Sequence, residues 1–252
     1  MPSKIEVKNI SVKVGECFIV EPVDISLNKA EFCFLLGPNG SGKSSLLKAI
    51  AGIRQANLTV SQESSSSLSK AFLPQEPEKP QNITVRDYFH FSRYPQMSSY
   101  RELSPKEFEL LEEILNDLKL KGFEERKLGG LSGGEWKKVC IASVIFQGAD
   151  LIILDEPFQA LDQVVKAEVA KFLNKWRKLG RSFLIASHDL FWSYHLCDKV
   201  IFLKRGHLLF EGGKSDTFHE ETLAQTFDIP FNKTIAEDGS VYFSPSLKGI
   251  DV

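Results

Sequence analysis

Residues 32–44, which read FCFLLGPNGSGKS, carry the strongest structural signal of this chain. The apolar run from Phe32 to Leu36 is followed at once by glycine, a pattern typical of a strand that is buried on both faces. From Ser44 onward, apolar residues recur with helical spacing until Gly52 supplies a stop. The segment therefore predicts a strand, a glycine-rich turn and a helix in direct succession.

The glycine-rich turn fits the pattern G-x-x-x-x-G-K-[ST], which binds phosphate when it lies between a strand and a helix. Its glycines let the backbone wrap around phosphate groups, and its N–H groups point inward at a helix N-terminus. We expect Lys43 to reach the β- and γ-phosphates and the Ser44 hydroxyl to ligate Mg²⁺. The flanking strand and helix argue against a chance glycine-rich turn. The predicted nucleotide-binding residues here are Gly37, Pro38, Asn39, Gly40, Ser41, Gly42, Lys43, Ser44 and Ser45.

Two adjacent carboxylates, Asp155 and Glu156, follow a second apolar run at Leu151–Leu154. In an open α/β sheet, the carboxyl ends of the strands form the edge where ligands bind. We expect Asp155 to hold Mg²⁺ directly or through water, and Glu156 to polarise a water for attack on a γ-phosphate. Taken alone, two acidic residues at a strand end could equally face solvent. Combined with the phosphate loop, they favour a hydrolytic site.

The rest of the chain alternates predicted strands and helices, which implies a parallel sheet. Residues 5–36 resemble short strands of a meander, and residues 53–70, with four consecutive serines, predict an exposed loop between short strands. Residues 104–121 predict an amphipathic helix with Ser104 as N-cap. We expect the chain to end in a tail of mixed character. Further helices are predicted over 133–148, over 163–179 and after His188, with strands over 182–187 and two more within 199–212.

Residues Ser132, Gly133, Gly134 and Glu135 predict a helix N-terminus, with Ser132 as cap and Glu135 completing a capping box. The two glycines also leave this N-terminus open to an anion, so it is suited to bind phosphate in the same way as the phosphate loop. One nucleotide does not need two such sites on the same face. A head-to-tail pair of subunits, each offering its second site to the other's nucleotide, accounts for both.

Composition narrows the class of protein. The 252 residues are 42% hydrophobic and 25% charged, which is ordinary for a globular chain, and the net charge of −2 gives no basic footprint for nucleic acid. The four cysteines show neither a zinc spacing nor a secreted framework. The first ten residues lack the pattern of a signal peptide, and no apolar run approaches bilayer length. We therefore expect an internal protein without nucleic-acid partners, whose membrane role would come through a partner.

These motifs resemble those of the nucleotide-binding subunits of ATP-binding-cassette (ABC) transporters over essentially the full chain. Residues 131–135, LSGGE, resemble the family's signature sequence, although Gln is more usual at Glu135. Residues 72–75 resemble the Q loop, which implies that Gln75 contacts Mg²⁺ and the attacking water. Residues 160–162 resemble the D loop, in which Asp162 crosses a dimer interface. On their own, Gln75 could be an ordinary loop residue and Asp162 an N-cap.

Residues 187–189, Ser-His-Asp, resemble the family's switch region, in which His188 contacts the γ-phosphate. Alone, His188 could simply start a helix. The resemblance implies an α/β fold with a P-loop NTPase core of mostly parallel sheet, an N-terminal antiparallel β subdomain and an inserted α-helical subdomain. The single domain 1–252 would divide into a core, about 1–75 and 132–252, and a helical subdomain, about 76–131.

The resemblance also implies cofactors and roles. ATP and Mg²⁺ would be the cofactors, with Lys43, Gln75, Glu156 and His188 catalytic and with Ser44, Gln75 and Asp155 holding the metal. Partners would be a second ATP-binding subunit, most simply an identical copy, and transmembrane permease subunits, with a substrate-binding protein involved indirectly. The chain would then lie on the cytoplasmic side of the inner membrane, attached through the permease.

The chain departs from the family pattern at the residue that stacks on adenine and in the segment between the phosphate loop and the Q loop. Many relatives place a Tyr at the position of Val14 to stack on adenine, and Phe18 is a candidate to replace it. The short interval between Ser44 and Gln75 predicts that the usual β hairpin is trimmed into the serine-rich loop.

Three segments point to a subfamily. Residues 84–95 resemble importers of iron chelates, whereas residues 131–136 and 223–227 resemble the cobalamin importer's ATPase. The aromatic residues in the first segment could equally be core residues. The resemblance thus favours an importer of iron–siderophore, haem or cobalamin-type chelates. A soluble ABC ATPase, for example in cluster assembly, and a subunit for another substrate stay as alternatives, while intact Lys43, Asp155, Glu156 and His188 speak against a non-hydrolysing subunit.

Overall fold

The secondary structure comes from a computed structural model, which describes residues 4–53, 59–63, 68–93 and 103–246. The strands are β1 Lys4–Val14, β2 Cys17–Asn28, β3 Phe32–Leu36, β4 Thr59–Glu63, β5 Lys70–Leu73, β6 Leu151–Asp155, β7 Ser182–Ala186, β8 Lys199–Lys204, β9 His207–Gly213, β10 Phe231–Ile235 and β11 Val241–Pro245. The helices are α1 Lys43–Ile50, α2 Val85–Ser92, α3 Pro105–Asp117, α4 Gly133–Phe146, α5 Gln163–Lys178, α6 Leu190–Leu196, α7 Lys214–Thr217 and α8 Glu220–Phe227.

A six-stranded sheet in the order β5-β6-β7-β3-β8-β9 forms the centre of the fold. Its first five strands are parallel, and β9 runs antiparallel to β8. The strand β3 lies inside the sheet, where Phe32 pairs with Phe183 of β7 and Cys33 pairs with Lys199 of β8. The α/β class and the mostly parallel sheet predicted from the strand–helix alternation are confirmed.

Both faces of the central sheet are covered, which explains the uninterrupted apolar runs. Every residue of β3, β6 and β7 is buried. Successive side chains of a strand point to opposite faces. Phe34 accordingly packs in a core with α2 to α5, whereas Leu35 packs in a second core with α1 and the N-terminal strands.

The N-terminal strands form a separate antiparallel sheet in the order β2-β1-β4. The prediction of short strands over residues 5–36 is wrong in length, because β1 and β2 are hairpin strands of 11 and 12 residues. Alternating buried residues such as Ile5 and Val7 hold this sheet against α1. The strands β4 and β5 flank the serine run at 64–67, which itself lies outside the described residues.

The helix α3 begins where its capping residue predicts. Ser104 caps α3 in a reciprocal capping box with Glu107, with Pro105 in the first turn. The helix ends at Asp117, before the predicted limit at residue 121, because the backbone enters the left-handed region at Lys119, with φ of 58°. Thr84 caps α2 in a second capping box with its N3 residue. Residues 94–95 of the segment that resembles chelate importers lie outside the described residues.

The C-terminal region is more regular than the predicted mixed tail. It forms α7, α8 and a two-stranded antiparallel sheet of β10 and β11. This hairpin is attached by an aromatic cluster in which Phe243 contacts the rings of Tyr194 and Phe218. Within the described ranges, no helix has the length and apolar character needed to cross a bilayer.

Candidate functional site

A cavity of about 610 Å³ opens beside the carboxyl ends of β3, β6 and β7. In a parallel sheet these ends meet at one edge, so residues far apart in the chain come together there. The cavity is lined by Ile19, Asn39, Gly40, Ser41, Gly42, Lys43, Ser44, Ser45, Gln75, Glu156, Gln159 and His188.

The phosphate loop lines one side of this cavity and needs glycine at two positions. A Cβ atom on Gly37 would lie 2.0 Å from the Leu203 carbonyl oxygen, so no side chain fits there. Gly42 has φ of 102°, and a Cβ atom on it would lie 2.8 Å from Val20 Cγ2. The loop thus packs against β2 and β8 and feeds directly into α1, which begins at Lys43.

Lys43 is buried, and its ammonium group is held by the loop itself. Its Nζ donates to the carbonyl oxygens of Gly37 at 2.8 Å and Pro38 at 3.1 Å. Burial lowers the pKa of this side chain, and the negative charges of Glu156 and Asp155 oppose that shift. A phosphate in the cavity would offer the ammonium an anionic partner in place of two neutral carbonyls.

Asp155, at the end of β6, is 1% exposed, and its Oδ1 atom is buried without a hydrogen-bond partner among the described residues. Burial raises the pKa of this carboxyl, while a hydrogen bond from Ser44 and the charge of Lys48 lower it. A buried carboxylate with an unpartnered oxygen is costly unless something supplies positive charge.

The donor set around Asp155 fits Mg²⁺. The carboxylate lies beside the Ser44 hydroxyl, and both are hard oxygen donors of the kind that Mg²⁺ prefers. In the described part of the chain, no cluster of three or more His, Cys, Asp or Glu side chains could hold a metal ion. At nucleotide sites Mg²⁺ is usually bound through one or two carboxylates, water and substrate phosphates.

Glu156 and His188 form a hydrogen-bonded pair in the cavity. The Glu156 Oε2 atom lies 2.8 Å from His188 Nδ1 and accepts from the His188 backbone N–H at 3.2 Å. Burial raises the pKa of Glu156, and His188 lowers it. The backbone of Glu156 is in the left-handed region, with φ of 50°, which is strained for a non-glycine residue. A carboxylate with a raised pKa, held by a histidine, is suited to accept a proton.

Gln75 reaches the cavity from the loop after β5 and is held at two points. The Lys137 Nζ atom on α4 donates to the Gln75 main-chain carbonyl at 3.0 Å. The Gln75 Nε2 atom donates to Gln159 Oε1 at 2.8 Å. The cavity therefore joins the phosphate loop to the segments that follow β5, β6 and β7.

The signature residues lie outside this cavity. Ser132 is the exposed N-cap of α4, and its backbone N–H donates to Glu135 Oε2 at 2.7 Å, so the predicted capping box is present. Asp162 caps α5 and accepts from the Val165 N–H at 2.9 Å. Neither group lines the cavity. Within one subunit, the structure does not bring Ser132, Gly133, Gly134, Glu135 or Asp162 to the phosphate loop.

Two cavity residues, Ile19 and Gln159, were not predicted. Ile19 is next to Phe18, the proposed replacement for the adenine-stacking Tyr, but Phe18 itself does not line the cavity and packs instead under Lys13 Nζ at 4.1 Å. Strand alternation in β2 is a signal that could have identified Ile19, because neighbouring residues face opposite sides. Gln159 is an exposed residue of a turn, and no local pattern marks it.

Comparisons with a family model and with known proteins point to the same family. A family model described as "ABC transporter" matches residues 20–159. The iron(3+)-hydroxamate import ATP-binding protein FhuC of Bacillus subtilis is 30% identical over 238 residues, which cover 90% of this chain and 88% of FhuC. The petrobactin import ATP-binding protein YclP of the same species is 28% identical over 255 residues, covering 95% and 100%. The manganese transport system ATP-binding protein MntA of Synechocystis is 34% identical over 202 residues, covering 77% of each chain.

Solved structures show the same fold. A chain from a metal-chelate type ABC transporter in an inward-facing conformation aligns with a TM-score of 0.82 at 23% identity, covering 97% of this chain and 98% of that one. An ATP-binding cassette of an ABC transporter in its ADP conformation aligns with a TM-score of 0.74 at 23% identity, covering 89% and 98%. Together with the match over residues 20–159, these findings show that the chain belongs to the ABC transporter family and is an ATP-binding, ATP-hydrolysing subunit.

Proposed function

We propose that this chain binds MgATP in the cavity at the sheet edge and powers an importer of iron chelates, as one of two ATP-binding subunits. The observation that carries the proposal is the meeting of Lys43, Gln75, Glu156 and His188 in one cavity beside the buried, unpartnered Asp155 Oδ1. The relatives named for hydroxamate and petrobactin import support the substrate class. Cobalamin-type chelates and free metal ions would be the nearest alternatives.

In the proposed site, the backbone N–H groups of the phosphate loop and the Lys43 ammonium bind the phosphates. Ser44, Asp155 and Gln75 would hold Mg²⁺, which would supply positive charge to neutralise the phosphates. Glu156 accepts a proton from the attacking water, and His188 orients that carboxylate through the 2.8 Å hydrogen bond and contacts the γ-phosphate. Phosphoryl transfer requires mainly positioning and charge stabilisation, which these residues supply.

A second subunit would complete the site. The exposed N-terminus of α4, at Ser132 to Glu135, would bind the γ-phosphate held by the partner, and Asp162 would lie at the interface. Closure of this head-to-tail dimer on ATP would be the motion that drives transport.

The permease would dock on the face that carries residues 76–131, the helical subdomain, whose limits we propose from the sequence. A groove of about 370 Å³ opens there, beside the loop that carries Gln75. It contains Phe91, which is 52% exposed and lies in the segment that resembles chelate importers. Docking of a cytoplasmic segment of the permease in this groove would place the chain on the cytoplasmic side of the membrane and connect it to the catalytic cavity. The groove is lined by Phe72, Leu73, Pro74, Pro77, Glu78, Tyr88, Phe91, Ser92, Ser143, Val144 and Gln147.

The test of the catalytic part is Glu156→Gln in the full chain. We expect ATP hydrolysis to fall by about 10²- to 10⁴-fold, because the general base is lost. The variant should form a dimer when ATP is added, as seen by light scattering. Glu237→Gln, in the exposed turn between β10 and β11, is the matched control and should behave as the wild type. Hydrolysis by Glu156→Gln at the wild-type rate would contradict the assignment of Glu156.

The test of the transport part is co-purification of a tagged chain from detergent-solubilised membranes, with partners identified by mass spectrometry. Recovery of a permease of many spans, together with uptake of labelled ferric siderophore that depends on Lys43, would support chelate import. Recovery of soluble partners alone, with ATP hydrolysis intact, would overturn the transport proposal and leave the catalytic one standing.

A further inference from the structure

Asp189, the residue after His188, has a carboxylate that is held at both oxygen atoms. The Lys166 Nζ atom on α5 donates to Oδ2 at 2.6 Å, and the Trp192 backbone N–H in the first turn of α6 donates to Oδ1 at 3.2 Å. The lysine and aspartate side chains are 15% and 18% exposed, so solvent screens this ion pair weakly. An ammonium group donates and a carboxylate accepts, so the pair has a single direction.

The ion pair attaches Asp189 to another part of the fold. The Asp189 backbone N–H donates to Ser187 Oγ at 3.0 Å, and its carbonyl oxygen accepts from Ser193 Oγ at 2.6 Å. These two contacts and the one from Trp192 all lie within the switch region and α6. Among the hydrogen bonds that Asp189 makes with described residues, the bond from Lys166 is the one that reaches a different element.

The helix α5 gives Lys166 a fixed support. Its side chains Val169, Phe172 and Leu173 are buried in the core beneath the central sheet. Lys166 lies in the first turns of this helix, where its backbone N–H donates to the Asp162 carbonyl oxygen at 2.9 Å. Because the helix is packed in this way, the ammonium group can hold the Asp189 carboxylate in place.

The main chain at His188 is therefore held on both sides. On one side, Ser187 is fully buried, and its backbone N–H donates to a carbonyl oxygen of β3 at 3.2 Å. On the other side, the ion pair holds Asp189. The backbone N–H and the Nδ1 atom of His188 both contact Glu156 Oε2, so a shift of this short segment would lengthen both contacts with the proposed general base.

We propose that Lys166 is a positioning residue, which holds Asp189 and so keeps His188 against Glu156. The inference rests on the proposed hydrolytic site and deepens it. Lys166 does not line the cavity, so it acts through His188 and not on the nucleotide. Its loss should therefore slow hydrolysis at saturating MgATP and leave KM unchanged.

The experiment measures steady-state ATP hydrolysis by the full chain with three substitutions. Lys166→Met removes the ammonium group and keeps most of the side-chain length, whereas Lys166→Arg keeps a cation that can pair with a carboxylate. Asp189→Asn leaves one oxygen atom for two donors. Lys175→Met is the matched control, because the same change on the same helix removes ion pairs with Glu113 at 2.7 Å and Asp117 at 2.5 Å outside the cavity.

Lys166→Met and Asp189→Asn are also made in a His188→Ala background. A residue that acts through His188 loses its effect on kcat when the His188 side chain is absent, because the group that it positions is gone. A residue that supports the fold in general keeps its effect in both backgrounds. The double-mutant cycle thus separates a positioning role from a structural one.

We expect Lys166→Met to lower kcat by roughly 3- to 10-fold, the value of one hydrogen bond to a positioned group, with KM for MgATP unchanged. Asp189→Asn should lower kcat as well, and Lys166→Arg should retain most of it. In the His188→Ala background, Lys166→Met and Asp189→Asn should have no further effect. Lys166→Met should also lower the Tm, because it leaves a half-buried carboxylate unpaired, so all rates are measured below the lowest midpoint.

Two results would overturn the inference and leave the proposed function intact: an unchanged kcat in Lys166→Met, or an equal fold-loss from Lys166→Met in the wild type and in His188→Ala. If Lys166→Met does not fold, Asp189→Asn decides by the same two criteria. An equal loss of kcat in Lys175→Met would show a general effect of lost ion pairs and would also count against a positioning role. If His188→Ala hydrolyses ATP at the wild-type rate, the proposed role of His188 fails together with the inference.

Discussion

Replacing Asp155 with Asn should stabilise the nucleotide-free protein and weaken its response to MgATP. The carboxyl is 1% exposed and its Oδ1 atom has no partner among the described residues, a situation that costs 1–3 kcal/mol or more for a charged group. The Ser44 hydrogen bond and the charges of Lys43 and Lys48 offset part of this cost. Removal of the charge should therefore raise the free energy of unfolding by about 2 kcal/mol. For a chain of this size, that corresponds to an increase in Tm of about 4–8 °C.

The pH dependence of this effect has a definite sign. The pKa of Asp155 is raised in the folded state, so its ionisation above that pKa destabilises the native protein, whereas below the unfolded value the group is protonated in both states. The difference in Tm between Asp155→Asn and the wild type should therefore be largest at neutral pH and should shrink as the pH falls through the raised pKa.

MgATP should stabilise Asp155→Asn less than it stabilises the wild type. At 100 times the Kd, MgATP stabilises a binding protein by about 2.7 kcal/mol, and Asp155→Asn should retain only the part that does not depend on the metal. The assay is a thermal melt of both proteins with and without MgATP, at pH 5 and pH 7.5. Asp150→Asn, at the residue just before β6, is the matched control, since its carboxylate already accepts from Ser69 Oγ at 2.7 Å. A lower Tm for nucleotide-free Asp155→Asn than for the wild type, or equal stabilisation of both by MgATP, would refute the reasoning.

Three further predictions concern the loop, the switch region and the helical subdomain. His188→Ala should lower kcat by about 10- to 100-fold, because the contact with the general-base carboxylate is lost. The Tm should not change, because the side chain is 56% exposed. Phosphate release at the wild-type rate would contradict this prediction. Gly42→Ala should cost about 1–3 kcal/mol of strain and abolish binding of a fluorescent nucleotide. Gly122→Ala is the control and should leave binding intact, because Gly122 has φ of 82° but no atom within 4 Å of an added Cβ. Equal binding by the two variants would count against the role of the phosphate loop. Arg93→Met should lower the urea midpoint and reduce the free energy of unfolding by about 2–4 kcal/mol. Arg93 donates to two carbonyl oxygens at the end of α4 and pairs with Glu107 at 2.9 Å. An unchanged midpoint would show that these contacts do not stabilise the fold.

The parts of the fold that were predicted correctly are those whose signal is local. The buried run at Phe32–Leu36 identified β3 because it is buried on both faces, and the capping box of Ser104 and Glu107 placed the start of α3. The end of α3 was placed late because nothing in the local pattern marks the left-handed residue Lys119. The β10–β11 hairpin was missed for a different reason: β10 is mostly exposed and therefore lacks a buried face with a hydrophobic period.

The same distinction applies to the site. The phosphate loop and the Asp155–Glu156 pair are contiguous, and each was found from its own residues. Gln159 was not found, because only the fold brings it to the cavity and to Gln75, a residue 84 positions earlier in the chain. Alternation along β2 places Ile19 on the opposite side from Phe18, but which of the two sides faces the phosphate loop depends on how β2 packs in the folded chain.

The place of β3 inside the sheet has a consequence for synthesis on the ribosome. Both strands that pair with β3 come much later in the chain, β7 at Ser182–Ala186 and β8 at Lys199–Lys204. The phosphate loop follows β3 directly, yet the strand that supports it has no hydrogen-bonded neighbour in the central sheet until those segments have emerged. Such non-local pairing is slow and leaves apolar strands unpaired in the meantime. The nascent chain therefore carries its nucleotide-binding loop long before it can bind nucleotide, and it depends during that interval on protection of the buried strands from aggregation.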